Sequence, residues 1–146
     1  MKKSFRGLLA DCAQERIRLS TNNGLIGYKI VKFQLMPELP GNADAEHVAQ
    51  IFTTERDTAI PTASPSINFN DPTLIAAALT GNSTNITQNI SQSIIIDNMT
   101  FNQDIFVTHT DAGNANKVNF YLELEQMKLD LNEATVATLK DMRGRE

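Results

Sequence analysis

Apolar and β-branched residues are concentrated in three runs within the last third of the chain. The runs are Ile94–Ile96, Phe101–His109 and Val118–Glu125, and polar connections separate them. The third run alternates, with apolar residues at 118, 120, 122 and 124, which is the two-residue period of a half-buried strand. The Asp, Gly and Asn residues at 111–116 predict a turn. We therefore expect the second and third runs to pair as a hairpin.

The same pattern predicts two details of this region. Ile94–Ile96 has no polar alternation, so this strand is expected to be covered on both faces. After Glu125 the apolar positions move by one residue, to Met127, Leu129 and Leu131. A β-bulge near Glu125–Gln126 is expected to absorb this change, because otherwise the apolar residues would turn to the other face.

The first half of the chain contains three predicted strands. Arg16–Ser20 alternates polar and apolar residues, and the turn residues at 21–24 predict a hairpin connection to the second strand, Ile26–Met36. In that strand Val31 and every second residue after it are expected on one face. His47–Thr54 is the third predicted strand.

Two segments fit more than one interpretation. In Asp71–Gly81 a capping aspartate, an early proline and a final glycine fit a short helix, whereas the apolar run Leu74–Leu79 fits a buried strand. We favour the strand, because the neighbouring segments are predicted strands. In residues 132–146, a cap at Asn132 and a short helix ending at Met142 fit the sequence as well as an extended arm does.

These segments together predict an all-β fold. About seven strands joined by turns and irregular loops indicate an antiparallel β-sandwich, jelly-roll-like, with residues 1–146 as a single domain. Residues 1–15 are predicted to form an N-terminal arm and residues 132–146 a C-terminal arm. The chain of 146 residues is long enough for one core, and its single cysteine, Cys12, excludes an internal disulfide.

Charge and hydropathy narrow the expected surroundings of the protein. No apolar run approaches the ~20 residues of a membrane span, and Asp11 interrupts the short apolar stretch at 8–10 that a signal peptide would extend. Residues 1–36 contain seven basic and two acidic side chains, whereas residues 37–116 contain one basic and nine acidic side chains. This asymmetry fits a basic segment that docks on an acidic partner, or an ordinary solvated surface. Nucleic-acid binding is disfavoured by the sequence pI of 5.2.

The sequence predicts no catalytic, metal or cofactor site. His47 and His109, the two histidines, lack a second ligand at a metal-binding spacing. A triad of His109, Asp104 and a serine lacks the nucleophile elbow that would frame the serine. The turn at 111–116 resembles a calcium loop slightly, but turn formation explains the same residues better. We therefore expect a protein that is not an enzyme.

Several segments resemble a known group of proteins: Lys2–Asp11, Gly27–Pro37, Phe101–His109, Asn119–Glu125 and Ala137–Arg143. Together they resemble small virion structural proteins of marine tailed bacteriophages, such as those that infect cyanobacteria or Pelagibacter-like hosts. The likeness extends over nearly the whole chain and is weakest over residues 37–92. It consists of whole-strand similarities, so no functional residue is transferred with it.

The resemblance implies a virion protein that is made in the host cytoplasm and performs no catalysis. The leading expectation is a capsid decoration or cement protein that binds copies of itself, with a trimer favoured, and the major capsid protein or other virion proteins. A neck, tail or fibre-attachment component is the alternative. The candidate assembly contacts are near the two termini: Lys2, Lys3, Phe5, Arg6, Leu139, Met142 and Arg143.

A glycan-binding sandwich is the alternative from another functional class. It would use the uncharged, Asn-rich and Thr-rich segment at 82–92. Such sites need aromatic platforms, and the absence of tryptophan counts against this hypothesis.

Overall fold

The computed structural model describes seven segments of the chain: 1–21, 24–39, 45–55, 66–82, 90–96, 100–111 and 115–143. These segments contain eight strands and one helix: β1 (Lys2–Leu9), β2 (Ala13–Ile17), β3 (Ile26–Pro37), β4 (Ala45–Phe52), β5 (Leu74–Asn82), β6 (Ile90–Ile95), β7 (Ile105–Asp111), β8 (Val118–Lys128) and α1 (Leu131–Arg143). Of the residues described, no helix has both the length and the apolar character needed to cross a membrane.

The strands form two antiparallel sheets that pack face to face. Sheet A has the order β1-β8-β3, and sheet B has the order β2-β7-β4-β5-β6. Their inner faces enclose a core that includes Phe33, Ile51, Ile105, Leu122 and Leu124. The predicted antiparallel β-sandwich is confirmed, with eight strands where about seven were expected.

Both predicted hairpins are wrong, because each joins strands that lie in different sheets. β7 pairs with β2 and β4 in sheet B, whereas β8 pairs with β1 and β3 in sheet A. Likewise β2 is in sheet B and β3 is in sheet A, so residues 21–24 connect the two sheets. Alternation along a strand indicates which face is buried, but it does not indicate which strand is the neighbour.

The predicted N-terminal arm is also wrong. β1 pairs with β8 along its whole length, from Lys2 opposite Glu125 to Leu9 opposite Val118, and β2 pairs with β7. The turn between β1 and β2 contains Cys12 at a φ of 59°, a conformation that is uncommon for a residue other than glycine. Lys3 and Gly7 on the inner face of β1 and Leu8 on its outer face hid its two-residue period in the sequence.

A β-bulge occurs in β3 and not at the predicted place in β8. The register with β8 shifts between Ile30 and Lys32, so Ile30 and Phe33 are both buried while Val31 between them is exposed. The extra residue of a bulge produces this change of face. The alternation predicted that Val31 and Phe33 share one face, and this prediction is wrong.

The apolar positions after Glu125 change phase because Met127 and Leu129 pack under α1, whereas Leu131 is the first residue of α1 and is exposed. β8 pairs with β3 without a register shift around Glu125, so the bulge predicted at Glu125–Gln126 is wrong. Met127 and Leu129 form a second small cluster with residues of α1. Gly27 permits this packing, since a Cβ there would lie 2.9 Å from both terminal methyl carbons of Leu129.

The predictions for the remaining segments had different outcomes. Leu74–Leu79 lies in β5, which confirms the favoured strand. Ile94–Ile96 is not covered on both faces: β6 is an edge strand of sheet B, and Ile94 is exposed. In the segment at 82–92, residues 83–89 lie outside the described residues, and Ile90–Ile95 is strand.

The C-terminal segment is a helix where the structure describes it. The cap is Asp130 and not Asn132, because the backbone N–H of Glu133 donates to Asp130 Oδ1 at 2.7 Å. This is the usual contact between an N-cap side chain and the third residue of a helix. The helical interpretation therefore holds up to Arg143.

Candidate functional site

The residues predicted as assembly contacts lie on two elements: Lys2, Lys3, Phe5 and Arg6 on β1, and Leu139, Met142 and Arg143 on α1. The backbone N–H of Gln126 donates to the Met1 carbonyl at 2.8 Å. The next residue, Met127, packs under α1. The structure therefore brings the start of β1 and the helix to the same end of sheet A.

Three of the β1 side chains already have partners within the protein. Phe5 is half-buried and packs against the core, so it contributes to the sandwich. Lys2 Nζ lies 3.5 Å from a carboxylate oxygen of Glu123, and Lys3 Nζ lies 6.0 Å from the centre of the Tyr28 ring. The two lysines remain exposed and keep their positive charge at the surface.

α1 presents its larger apolar side chains to solvent. Ala134 and Ala137 are buried beneath the helix, whereas Leu131, Val136 and Leu139 are 74%, 53% and 53% exposed. We call these last three residues the outer face of α1. An amphipathic helix that packs on a core usually turns its larger apolar residues inward. Met142 and Arg143 are in the last turn of α1, and their side chains lie outside the described part of the structure.

A groove of about 890 Å³ is lined by residues of all three strands of sheet A and of β5 and β6 of sheet B. Tyr121 of β8 lies opposite Arg6 of β1 and opposite Gln34 of β3, so the three side chains lie in one row on one face. Leu8, Asn119 and Met36 form a second row across sheet A. Residues 91–93 of β6 form a wall beside it. We call this feature the sheet A groove.

The two histidines form a buried pair that joins β4 to β7. His47 Nδ1 lies 2.9 Å from His109 Nε2, and His109 Nδ1 lies 2.9 Å from the carbonyl oxygen of Ala10. A carbonyl oxygen only accepts, so His109 Nδ1 carries a hydrogen and its Nε2 is the acceptor. In the neutral pair His47 Nδ1–H therefore donates to His109 Nε2. Sequence reasoning missed the pair, because it becomes apparent only once β4 and β7 are known to be neighbours.

The surroundings of the pair keep both rings uncharged. Burial is the main cause that lowers the pKa of His47 and of His109. The nearby carboxylates of Asp11 and Asp111 act in the opposite direction and offset part of the lowering of both pKa values. His47 Nε2 is buried and has no hydrogen-bond partner within the described structure. Among the described residues, no group of three or more His, Cys, Asp and Glu side chains is placed to hold a metal ion.

Asp111 supports the chain locally. Its Oδ1 accepts the backbone N–H of Glu46 at 3.0 Å, and its Oδ2 accepts the backbone N–H of Asn116 at 3.0 Å. Its own backbone N–H donates to Asp11 Oδ1 at 2.8 Å. These contacts support the interpretation of the 111–116 segment as a turn, of which residues 112–114 lie outside the described structure.

Asp104 serves as a buried anchor and is not part of a triad. Its carboxylate accepts from Arg16 Nε at 2.7 Å and from the backbone N–H groups of Leu19 at 2.7 Å and Ser20 at 2.9 Å. Although burial acts to raise its pKa, these hydrogen bonds together lower it to about 2. His109 binds His47 and the Ala10 carbonyl instead, so the structure does not bring Asp104 and His109 together as a catalytic pair.

Comparisons with known proteins do not identify a family. No family model matches the sequence, and no curated protein matches it. Among solved structures, a candidate glycoside hydrolase from Bacteroides thetaiotaomicron is similar at 10% identity and a TM-score of 0.29. The similar region covers 81% of this chain and 41% of that one. This likeness is too low to support an inference about fold or function.

Proposed function

We propose that the protein is a non-enzymatic structural protein of a bacteriophage virion, and specifically a capsid decoration protein that binds copies of itself and the major capsid protein. The observation that carries this proposal is the outer face of α1, where Leu131, Val136 and Leu139 face solvent. Exposed apolar surface of this kind is typical of sites that a partner covers. The sequence resemblance to virion proteins suggests the kind of partner.

The energy available from this face suits a contact that is repeated many times. Full burial of a valine or leucine side chain contributes about 1.5–3 kcal/mol, and these three side chains are already partly buried. Covering them would contribute about 3 kcal/mol in total. Such a contact is weak by itself, but subunits linked in an oligomer bind a shell with much greater avidity.

Charge supports the same end of sheet A as the docking surface. Lys2 and Lys3 are exposed at the start of β1, near the end of the sheet on which α1 packs. Two exposed lysines, one of them paired with Glu123, lie near this apolar face, and positive charge there favours an acidic partner and accelerates the encounter with it. β1 is also an edge strand, and a neighbouring subunit can cover such an edge in a closed oligomer.

A charge-introducing double variant tests the docking surface. We expect the wild-type protein to form oligomers in light scattering coupled to size-exclusion chromatography and to cosediment with purified virions. V136E/L139E should abolish both properties, because two carboxylates on the outer face of α1 cannot be buried without a large cost. V31E is the matched control, since Val31 is also exposed, at 39%, but lies on β3.

Immunogold labelling of intact particles tests the position in the virion. Label over the capsid is the expected result. Label restricted to the tail would instead favour the neck, tail or fibre-attachment alternative and remove the decoration assignment. A wild-type protein that stays monomeric and is missing from purified particles would overturn the whole proposal.

A further inference from the structure

The sheet A groove has the shape of a ligand site. Its volume of about 890 Å³ lies within the range of roughly 300–1,000 Å³ that is usual for such sites. Its lining belongs to the three paired strands of sheet A and to β5 and β6 of sheet B, so most of it is held by sheet hydrogen bonds. The groove is therefore largely formed before a ligand binds.

The polar groups of the groove are mostly carboxamides and hydroxyls. Gln34, Asn119 and Gln92 each offer one acceptor and two donor hydrogens on a planar group. All three side chains are exposed to solvent. Planar groups that both donate and accept are complementary to the neighbouring hydroxyls of a sugar ring.

Tyr121 provides an aromatic surface at the centre of this floor. It lies on β8 between Arg6 and Gln34, and its hydroxyl donates to Glu123 Oε2 at 3.4 Å. This contact helps to hold the ring over the sheet. An aromatic ring with a polar end suits a ligand that has both C–H faces and hydroxyl groups.

The charges of the groove favour binding over hydrolysis. Arg6 is the one charged residue among its described lining residues. Glycoside hydrolysis ordinarily uses a pair of carboxyl groups on the two sides of the scissile bond, and the described lining contains no Asp or Glu. Arg6 instead offers a guanidinium group to a negatively charged substituent of a ligand.

We propose that the sheet A groove binds an oligosaccharide, with Tyr121 stacking on a sugar ring and Gln34, Asn119 and Gln92 hydrogen-bonding to its hydroxyls. Arg6 gives acidic sugars the tighter binding. The site is separate from the outer face of α1, so it goes beyond the proposed assembly function. It differs from the glycan site expected from the sequence, because sheet A supplies its floor.

The test uses the full chain on an array of neutral and uronic-acid-containing oligosaccharides, followed by titration of the strongest binder. Intrinsic fluorescence reports on the groove directly, because the chain has no tryptophan and two tyrosines, of which Tyr28 is buried. Y121A and Q34A are each expected to weaken binding by at least tenfold, as measured by calorimetry. F69A is the matched control, since Phe69 is an exposed aromatic residue outside the groove lining.

The outcomes separate this proposal from the assembly function. Tight binding that Y121A and Q34A weaken, and that F69A and V136E/L139E leave intact, supports the groove as a saccharide site. A folded wild-type protein with no signal on the array overturns the proposal, and so does binding that both groove variants retain. If Y121A instead converts an oligomer into a monomer without any array signal, the face is an interface between copies and the proposal is wrong.

Discussion

Acidification should destabilise the protein through its buried histidine pair. Each ring is neutral in the folded state, and burial holds the pKa of His47 and of His109 below the usual value of 6.5. The unfolded chain, with ordinary histidine pKa values, therefore binds more protons than the folded protein below pH 6.5. The stability that the pair contributes is fully present above pH 6.5 and is lost as the pH falls below that value.

The size of the effect follows from proton linkage. Consider a histidine that stays neutral in the folded protein and has a pKa of about 6.5 in the unfolded chain. As the pH falls from 7.5 to 5.0, it lowers the free energy of unfolding by about 2 kcal/mol. The loss of unfolding free energy from both histidines therefore has an upper limit of about 4 kcal/mol. Partial protonation in the fold, assisted by the nearby Asp11 and Asp111 carboxylates, reduces this figure. An effect that approaches this limit is large for a domain whose total stability is about 5–15 kcal/mol.

Urea unfolding followed by far-ultraviolet circular dichroism at pH 7.5, 6.5, 5.5 and 5.0 measures this loss. This range lies above the unfolded pKa values of Asp and Glu, at about 4, so carboxylates contribute little to it. The double variant H47Q/H109Q cannot titrate, and we expect it to be less stable at pH 7.5 but nearly independent of pH. A wild-type unfolding free energy that is flat across the range would refute the reasoning, and so would a slope that persists in H47Q/H109Q.

Two further substitutions test the packing and the buried anchor. Gly27→Ala should lower the free energy of unfolding by about 1–3 kcal/mol, because the new Cβ would lie 2.9 Å from Leu129. Gly81→Ala is the control and should lower it much less, since the nearest atom there is 3.7 Å away. Equal effects of the two substitutions in thermal unfolding would contradict this. Asp104→Asn should lower the free energy of unfolding by about 3 kcal/mol, because it removes the carboxylate that accepts from Arg16 and from two backbone N–H groups. Urea unfolding at pH 7 measures this loss, and a value below about 1 kcal/mol would refute the prediction.

The sequence was informative at two places where the physical signal is local. The alternation at 118–124 predicts which side chains of β8 face the core, and the buried positions agree with it. The strand at 74–79 could be chosen over a helix by reference to neighbouring segments. Each of these predictions depends on residues close together in the chain, where the period of the backbone fixes the direction of the side chains.

The pairing of strands depends on contacts between distant residues, and it could not be predicted in the same way. β7 and β8 follow one another in sequence and look like a hairpin, yet each has its partners elsewhere. The His47–His109 contact becomes visible only through the pairing of β4 with β7. Of the outer face of α1, the sequence identified only Leu139. The orientation of the helix is shown by the buried Ala134 and Ala137, and alanines give only a weak hydrophobic pattern in a sequence.

The order of strands in sheet A also affects how the protein can fold during its synthesis. β1 and β3 both pair with β8, whose residues are translated more than a hundred positions after β1 begins. β1 must therefore wait for β8, and contacts between such distant segments form slowly. A ribosome-bound chain that stops before residue 118 has no strand to join these two, so sheet A forms only after β8 has been synthesised.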